Sequence, residues 1–211
     1  MPPKTAVLLK ELREKVPADA AAAVVESWAT TTIPQLEAVG ASVQNFQLPA
    51  DLSQPPAALL EILDTLRLTQ SSIVVGLQTI RSTIVVRIPE MKEEDNLGVS
   101  VQINALKMLD EVEKQILDSE KAQLASIGYK ASYLGARASI EEKLNPSGKD
   151  AQPTKAPSAA LQLQQVDRDA ALIAYLTAAK LSTSLRALVT VYAENAKKLV
   201  NPRVSSDRML S

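Results

Sequence analysis

Apolar residues recur along this chain at steps of three and four, the spacing of helices that bury one face. Over residues 4–47 the repeat runs Val7, Leu8, Leu12, then Val24, Val25, Trp28, Leu36, Val39 and Val43. Pro17, followed by Ala18-Asp19, predicts a break and a fresh start. Pro34 predicts a kink in a continuing helix, since an interior proline lacks an N–H and costs roughly 3 kcal/mol in propensity. Residues 47–56 (QLPADLSQPP) read as a loop by their prolines and polar residues. A second helix is predicted over 57–88, with Leu59, Leu60, Leu63, Leu66, Leu77, Ile80 and Ile84 on one stripe. Within it the β-branched runs Ile73-Val74-Val75 and Ile84-Val85-Val86 make a pair of strands the competing reading. They repeat at eleven residues, close to three helical turns, so both fall on one face, and no turn signal separates them. Helix is the reading adopted.

A third segment, 96–144, carries Val99, Ile103, Leu106, Leu109, Val112, Ile116, Leu117, Leu124 and Ile127, with Asp110, Glu111, Glu113 and Lys114 on much of the other side. Gly128 and Gly135 predict a kink or a close approach of another backbone. Residues 145–157 (NPSGKDAQPTKAP) are short of apolar side chains and are expected to form a flexible, poorly ordered loop. The fourth segment, 158–200, repeats through Leu161, Leu163, Val166, Ala170, Ile173, Leu176, Leu181, Leu185, Leu188, Val189, Tyr192 and Leu199. Lys197 and Lys198 stand in its last turn, where cations suit the negative helix end, and Asn201-Pro202 stops it. A tail, 201–211, ends in Met209, Leu210 and Ser211 with a free carboxylate.

Four long segments with three connections predict a single all-α domain over 1–211, an up-down-up-down four-helix bundle. Helices of these lengths span about 45–65 Å, so much apolar surface stays on the flanks of so slender a bundle. Side-by-side packing into a symmetric ring would bury it.

The connection 89–95 is the sharpest local feature. Pro89 disfavours the helical conformation at Ile88, and Glu90, Lys92, Glu93, Glu94 and Asp95 follow it. Asp95 or Asn96 can cap the next helix, with acidic side chains near its positive end. In an antiparallel bundle, the connection between helices two and three shares an end with the chain's C-terminus. The acidic connection and residues 209–211 are therefore expected to be neighbours, with 47–56 and 145–157 at the other end. A compact, capped loop beside a loose peptide suits docking on a partner.

Composition narrows the chemistry. Six aromatic side chains (one Trp, one Phe, four Tyr) and abundant Ala and Leu suit closely packed helices better than a β-sandwich. The net charge of −1, with signs well mixed, argues against a nucleic-acid partner. The absence of Cys and His removes disulfides, a thiolate nucleophile, the ordinary zinc site and the commonest general base. No cofactor or metal is expected. Glu111 and the Glu141-Glu142 pair sit on helices and could suggest a carboxylate enzyme, but di-metal bundles use Glu-x-x-His pairs; a solvated face is the simpler reading. No run approaches the length needed to cross a bilayer, and no basic belt marks a lipid-surface helix. We expect a soluble, non-enzymatic protein of the cytoplasm, with the nucleus a further compartment. A plain helical scaffold and a lipid-surface protein are the alternatives.

The same two stretches resemble the 11S (REG) family of proteasome activators. That family's signature is Ile-Pro, an acidic loop, then Asn-hydrophobic-Gly-Val-x-Val-Gln; here Ile88-Pro89 precedes the acidic run and Asn96-Leu97-Gly98-Val99-Ser100-Val101-Gln102 follows it. Lys197-Lys198-Leu199 with Pro202-Arg203 matches the family's helix end. Met1-Pro2-Pro3-Lys4 and the Trp28 region look like the protozoan branch. The resemblance implies a homoheptameric ring on the α-ring of the proteasome core particle. Its tails would enter pockets between α-subunits, the terminal carboxylate meeting a pocket lysine, and its activation loops would hold the gate open without nucleotide. The loop role falls on Glu93 foremost, with Glu90, Lys92, Glu94 and Asp95 around it. The anchoring role falls on Met209, Leu210 and Ser211, largely through main chain. The 145–157 segment departs from the family, being neither a long basic insert nor a tight turn.

Overall fold

The computed structural model describes residues 3–90, 96–117, 128–144 and 157–203, and among these every regular element is helical. In chain order they are α1 (Pro3–Lys15), α2 (Ala20–Ser27), α3 (Ile33–Gln44), α4 (Ala57–Val85), α5 (Leu97–Leu117), α6 (Tyr129–Leu144) and α7 (Pro157–Val200). The all-α expectation holds, and the runs 73–75 and 84–86 are helix. The readings placed on Leu124, Ile127 and nearly all of the 145–157 loop lie outside the described residues; Pro157 itself opens α7, a first-turn position where its missing N–H costs nothing.

Local chemistry explains the breaks. α1 ends before Pro17, and α2 restarts with the Ala23 N–H donating to the Asp19 carbonyl at 3.0 Å. The kink expected at Pro34 takes the form of a π-helical turn, Trp28–Thr32, in which the Ile33 N–H reaches back five residues to the Trp28 carbonyl. The wider turn accommodates a proline that cannot donate to Thr30. The segment 96–144 is not one uninterrupted helix: the Gly128 carbonyl accepts from the Ala131 and Ser132 N–H groups and opens α6. Gly135 marks no close approach, since a Cβ there would meet nothing within 4 Å.

The chain forms two compact units. The first comprises Met1–Ile33, Ser72–Lys114 and Thr183–Ser211; the second comprises Pro34–Ser71 and Gln115–Ser182. In the first, Val25 of α2, Ile80 and Ile84 of α4, Ala105 and Leu109 of α5, and Leu188, Tyr192 and Leu199 of α7 surround one interior space. Four helical segments therefore share this core. Ile73 and Ile84, eleven residues apart, are both buried, while Val75 and Val85 face outward. Trp28 is buried against Gly76, where an added Cβ would lie 2.8 Å from the indole and 2.9 Å from Val24. Gly76→Ala is expected to lose about 1–3 kcal/mol by overpacking, read as a lower urea midpoint. Gly135→Ala is its control, with no loss expected.

The second unit packs Leu36 and Val39 of α3, Leu59, Leu63 and Leu66 of α4, and Leu163, Ala170, Ala174, Ala178 and Leu181 of α7. Within it lies a buried polar cluster. Arg137 Nη1 donates to both oxygens of Asp167 at 2.6 and 2.5 Å, Nη2 donates to the Leu52 and Gln54 carbonyls at 2.6 and 2.8 Å, and Nε donates to Glu141 at 2.7 Å. The Tyr133 hydroxyl donates to Asp167 at 2.7 Å, and burial with that bond pushes its phenol well above the ordinary range. The proline-rich 47–56 loop is thus tied down by a side chain from α6. Glu141, expected on a solvated face, is half-buried and paired; Glu111 and Glu142 are exposed.

Two further expectations change. Val7, Leu8 and Leu12 of α1 are exposed, as are Ile103, Leu117, Leu161 and Leu176, all assigned to core stripes. A three-four repeat identifies an apolar face but not what covers it. By length and composition alone, α7 is also long and apolar enough to cross a membrane, against the expectation that no run is. Its apolar positions Leu163, Ala170, Ala174, Ala178, Leu181, Leu185 and Leu188 form a buried stripe at helical spacing.

Candidate functional site

Three chain ends define the site, all within the first unit. α4 closes with tightened bonds, Arg87 N–H to the Ile84 carbonyl at 2.9 Å and Ile88 N–H to the Val85 carbonyl at 3.2 Å, and Pro89 then ends the helical path. α5 starts after Asn96, one of the two residues expected to cap it, whose carbonyl accepts from the Ser100 N–H at 2.9 Å. α7 ends with the Asn201 N–H on the Lys197 carbonyl at 2.7 Å, and Pro202 turns the chain away.

These ends converge. Gln102, fully buried, donates through Nε2 to the Leu199 carbonyl at 2.9 Å and, more weakly, to the Arg87 carbonyl at 3.5 Å. Gly98 packs so closely on Pro202 that a Cβ would overlap the Pro202 carbonyl. Arg203 Nη2 donates to the Glu90 carbonyl. One amide therefore touches the end of α4 and the end of α7 from the start of α5. Glu90 after α4 and Arg203 after α7 stand side by side, as alternating helix directions require.

A second set of bonds braces this end. Arg87 Nη2 donates to the Val16 carbonyl at 2.7 Å, and Arg13 Nε returns a bond to the Val86 carbonyl at 2.9 Å. Arg81 of α4 pairs with Glu113 at 2.7 Å and Asp110 at 2.5 Å on α5, and the Glu113 bond raises the guanidinium's pKa. Gln78 also bonds Glu113. Around the three helix ends stand backbone carbonyls, the Gln102 amide and guanidinium groups, which hold main chain in place, while the Asp110 and Glu113 carboxylates are engaged by Arg81.

Of the residues assigned from sequence, Glu90 is exposed, with its carbonyl taken by Arg203. Lys92, Glu93, Glu94 and Asp95 lie outside the described residues, as do Met209, Leu210 and Ser211. Sequence reasoning gave no role to Gln102, Arg203, Arg87 or Arg13. A signal for Gln102 was available: it stands three residues from both Val99 and Ala105, on the face those buried residues define. The arginines gave none, because their acceptors are main-chain atoms far away in sequence.

No curated protein matches the chain. The family profile for the C-terminal part of proteasome activator PA28 matches residues 52–209. A chain from a proteasome–11S activator complex is 34% identical, with 98% of this chain and 100% of that one covered and a TM-score of 0.82. In the complex of the yeast 20S proteasome with the activator PA26 from Trypanosoma brucei, a chain is 32% identical, with 97% and 100% covered and a TM-score of 0.73. The Plasmodium falciparum 11S subunit, PA28, shares the fold at 16% identity, with 95% and 96% covered and a TM-score of 0.61. The architecture is that of the helical proteasome activators. The chain belongs to the PA28, or 11S, family of proteasome activators.

Proposed function

We propose that this protein is a non-enzymatic, ATP-independent activator of the proteasome core particle, acting as a homoheptameric ring in the cytoplasm. The observation that carries this reading is the convergence at Gln102 and Arg203, which sets Glu90, at the start of the 89–95 connection, beside the first residues after α7. Its relatives are described in complexes with yeast and archaeal 20S proteasomes, which supplies the partner. Exposed apolar side chains in both units, among them Val75 and Ile103 in one and Leu68, Leu172 and Leu176 in the other, give a ring surface to bury.

In this reading Met209, Leu210 and Ser211 seat in the α-ring, and the connection acts through Glu93, with Glu90, Lys92, Glu94 and Asp95 around it. Each tail alone is a weak ligand, because a short peptide buries little area and loses entropy on ordering. Seven tails on one ring make the later contacts intramolecular, which turns weak anchors into a strong clamp. The connection then needs only to favour the open gate over the closed one, since a ligand shifts an equilibrium by its differential affinity alone.

Deleting residues 209–211 is expected to return peptide hydrolysis by the core particle to its basal rate, while native mass remains that of an assembled ring. Undiminished stimulation by the truncated ring would remove the tails from the mechanism.

A further inference from the structure

We infer that Arg203 is a positioning residue for gate opening: with Gln102, it fastens the root of the tail to the stem of the 89–95 connection, so that seating the tail sets where the connection stands. The inference rests on the activator reading above and adds a coupling between its two parts.

Two attachments join the same two strands of chain. The deeper one is the Gln102 amide, which donates to Leu199 on the tail side and Arg87 on the connection side. The outer one is the Arg203 guanidinium on the Glu90 carbonyl. One attachment alone would leave a hinge, about which the connection could swing while the tail stayed docked. Two attachments side by side remove that rotation. The Glu90 carbonyl lies beyond the end of α4 at Val85 and directly after Pro89, and it accepts from Arg203.

Arg203 is itself poorly free to move. Asn201 is bonded back to Lys197, and Pro202 is wedged against Gly98, so the main chain that carries the guanidinium is held on both sides. A displacement of the docked tail therefore reaches Glu90 through a short braced path. Arg203 is half-buried and follows the last helix, so replacing it removes a bond without opening the core. Its Nε finds no acceptor among the described residues, which leaves the Nη2 bond to Glu90 as the contact to test.

The test compares Arg203→Ala and Arg203→Lys with the unaltered ring, at confirmed ring mass, in titrations against core particles. Arg203→Ala is expected to cut stimulation at saturation about fivefold, while the half-saturating concentration moves less than about twofold. Arg203→Lys, which keeps a charged donor nitrogen, is expected to recover more than half of the loss. Full stimulation by Arg203→Ala at saturation overturns the inference. So does a change confined to the half-saturating concentration, which would make Arg203 part of the anchor. Amide exchange in the free ring gives a reading independent of the proteasome: Arg203→Ala should speed exchange at residues 96–100, and unchanged exchange overturns the fastening. If the unaltered ring stimulates no core particle, the activator reading fails, and the exchange result alone then decides whether the fastening exists.

Discussion

Arg137→Ala is expected to destabilise the folded chain by about 3–5 kcal/mol, the range for removing one partner of a buried ion pair. Arg137 is 1% exposed and Asp167 is 0% exposed, so the carboxylate left behind would have neither water nor countercharge. The damage extends beyond the pair. The same guanidinium serves the Leu52 and Gln54 carbonyls, and the loop between α3 and α4 would lose both bonds at once. Tyr133 would still donate to Asp167, but a single neutral donor cannot replace a charged one that reaches both carboxylate oxygens. Urea unfolding of the single variants and of Arg137→Met/Asp167→Leu separates the contributions. The double variant should be less destabilised than either single one, because it leaves no buried charge. An Arg137→Ala chain within about 1 kcal/mol of the original would mean that water enters and satisfies the site.

Gly98→Ala is expected to abolish most of the stimulation of peptide hydrolysis, at least about tenfold, while the ring stays assembled. Helix propensity alone predicts the opposite sign of effect on stability, since alanine is favoured over glycine by roughly 0.8–1.0 kcal/mol inside a helix. Packing decides against it here. The added carbon would overlap the main-chain carbonyl of Pro202, and no rotamer can relieve a clash between a Cβ and backbone. Either the first turn of α5 or the root of the tail must shift. Both are elements whose relative placement the proposed mechanism uses. Ser100→Ala, two residues further along α5 and exposed, is the matching control, with unchanged stimulation expected. Normal stimulation by Gly98→Ala would show that the tail root moves aside without functional cost.

Much of this was legible in the sequence because helical periodicity is a local property. The positions of α2, α4 and α7 follow from where leucine and valine recur and where proline interrupts. The stop at Pro89 and the start after Asn96 follow from proline and capping chemistry. Chain parity also set the root of the connection, at Glu90, beside the root of the tail, at Arg203, without any contact being known. What escaped depends on partners distant in sequence. Arg137 and Asp167 are thirty residues apart on different helices, and each reads alone as an ordinary surface charge. Pro34 announced a disturbance but not its form, because a kink and a π-helical turn both accommodate a missing N–H. Val7, Leu12 and Leu176 were assigned to the core because a repeat of apolar side chains looks the same whether a neighbouring helix or another subunit covers it.

The guanidinium groups of Arg13, Arg87 and Arg203 and the amide of Gln102 all address main-chain oxygens, at Val86, Val16, Glu90 and Leu199. A carbonyl is present whatever side chain its residue carries. Evolution can therefore redraw the exposed surface around Glu90 without loosening the frame beneath. The donors enjoy no such latitude.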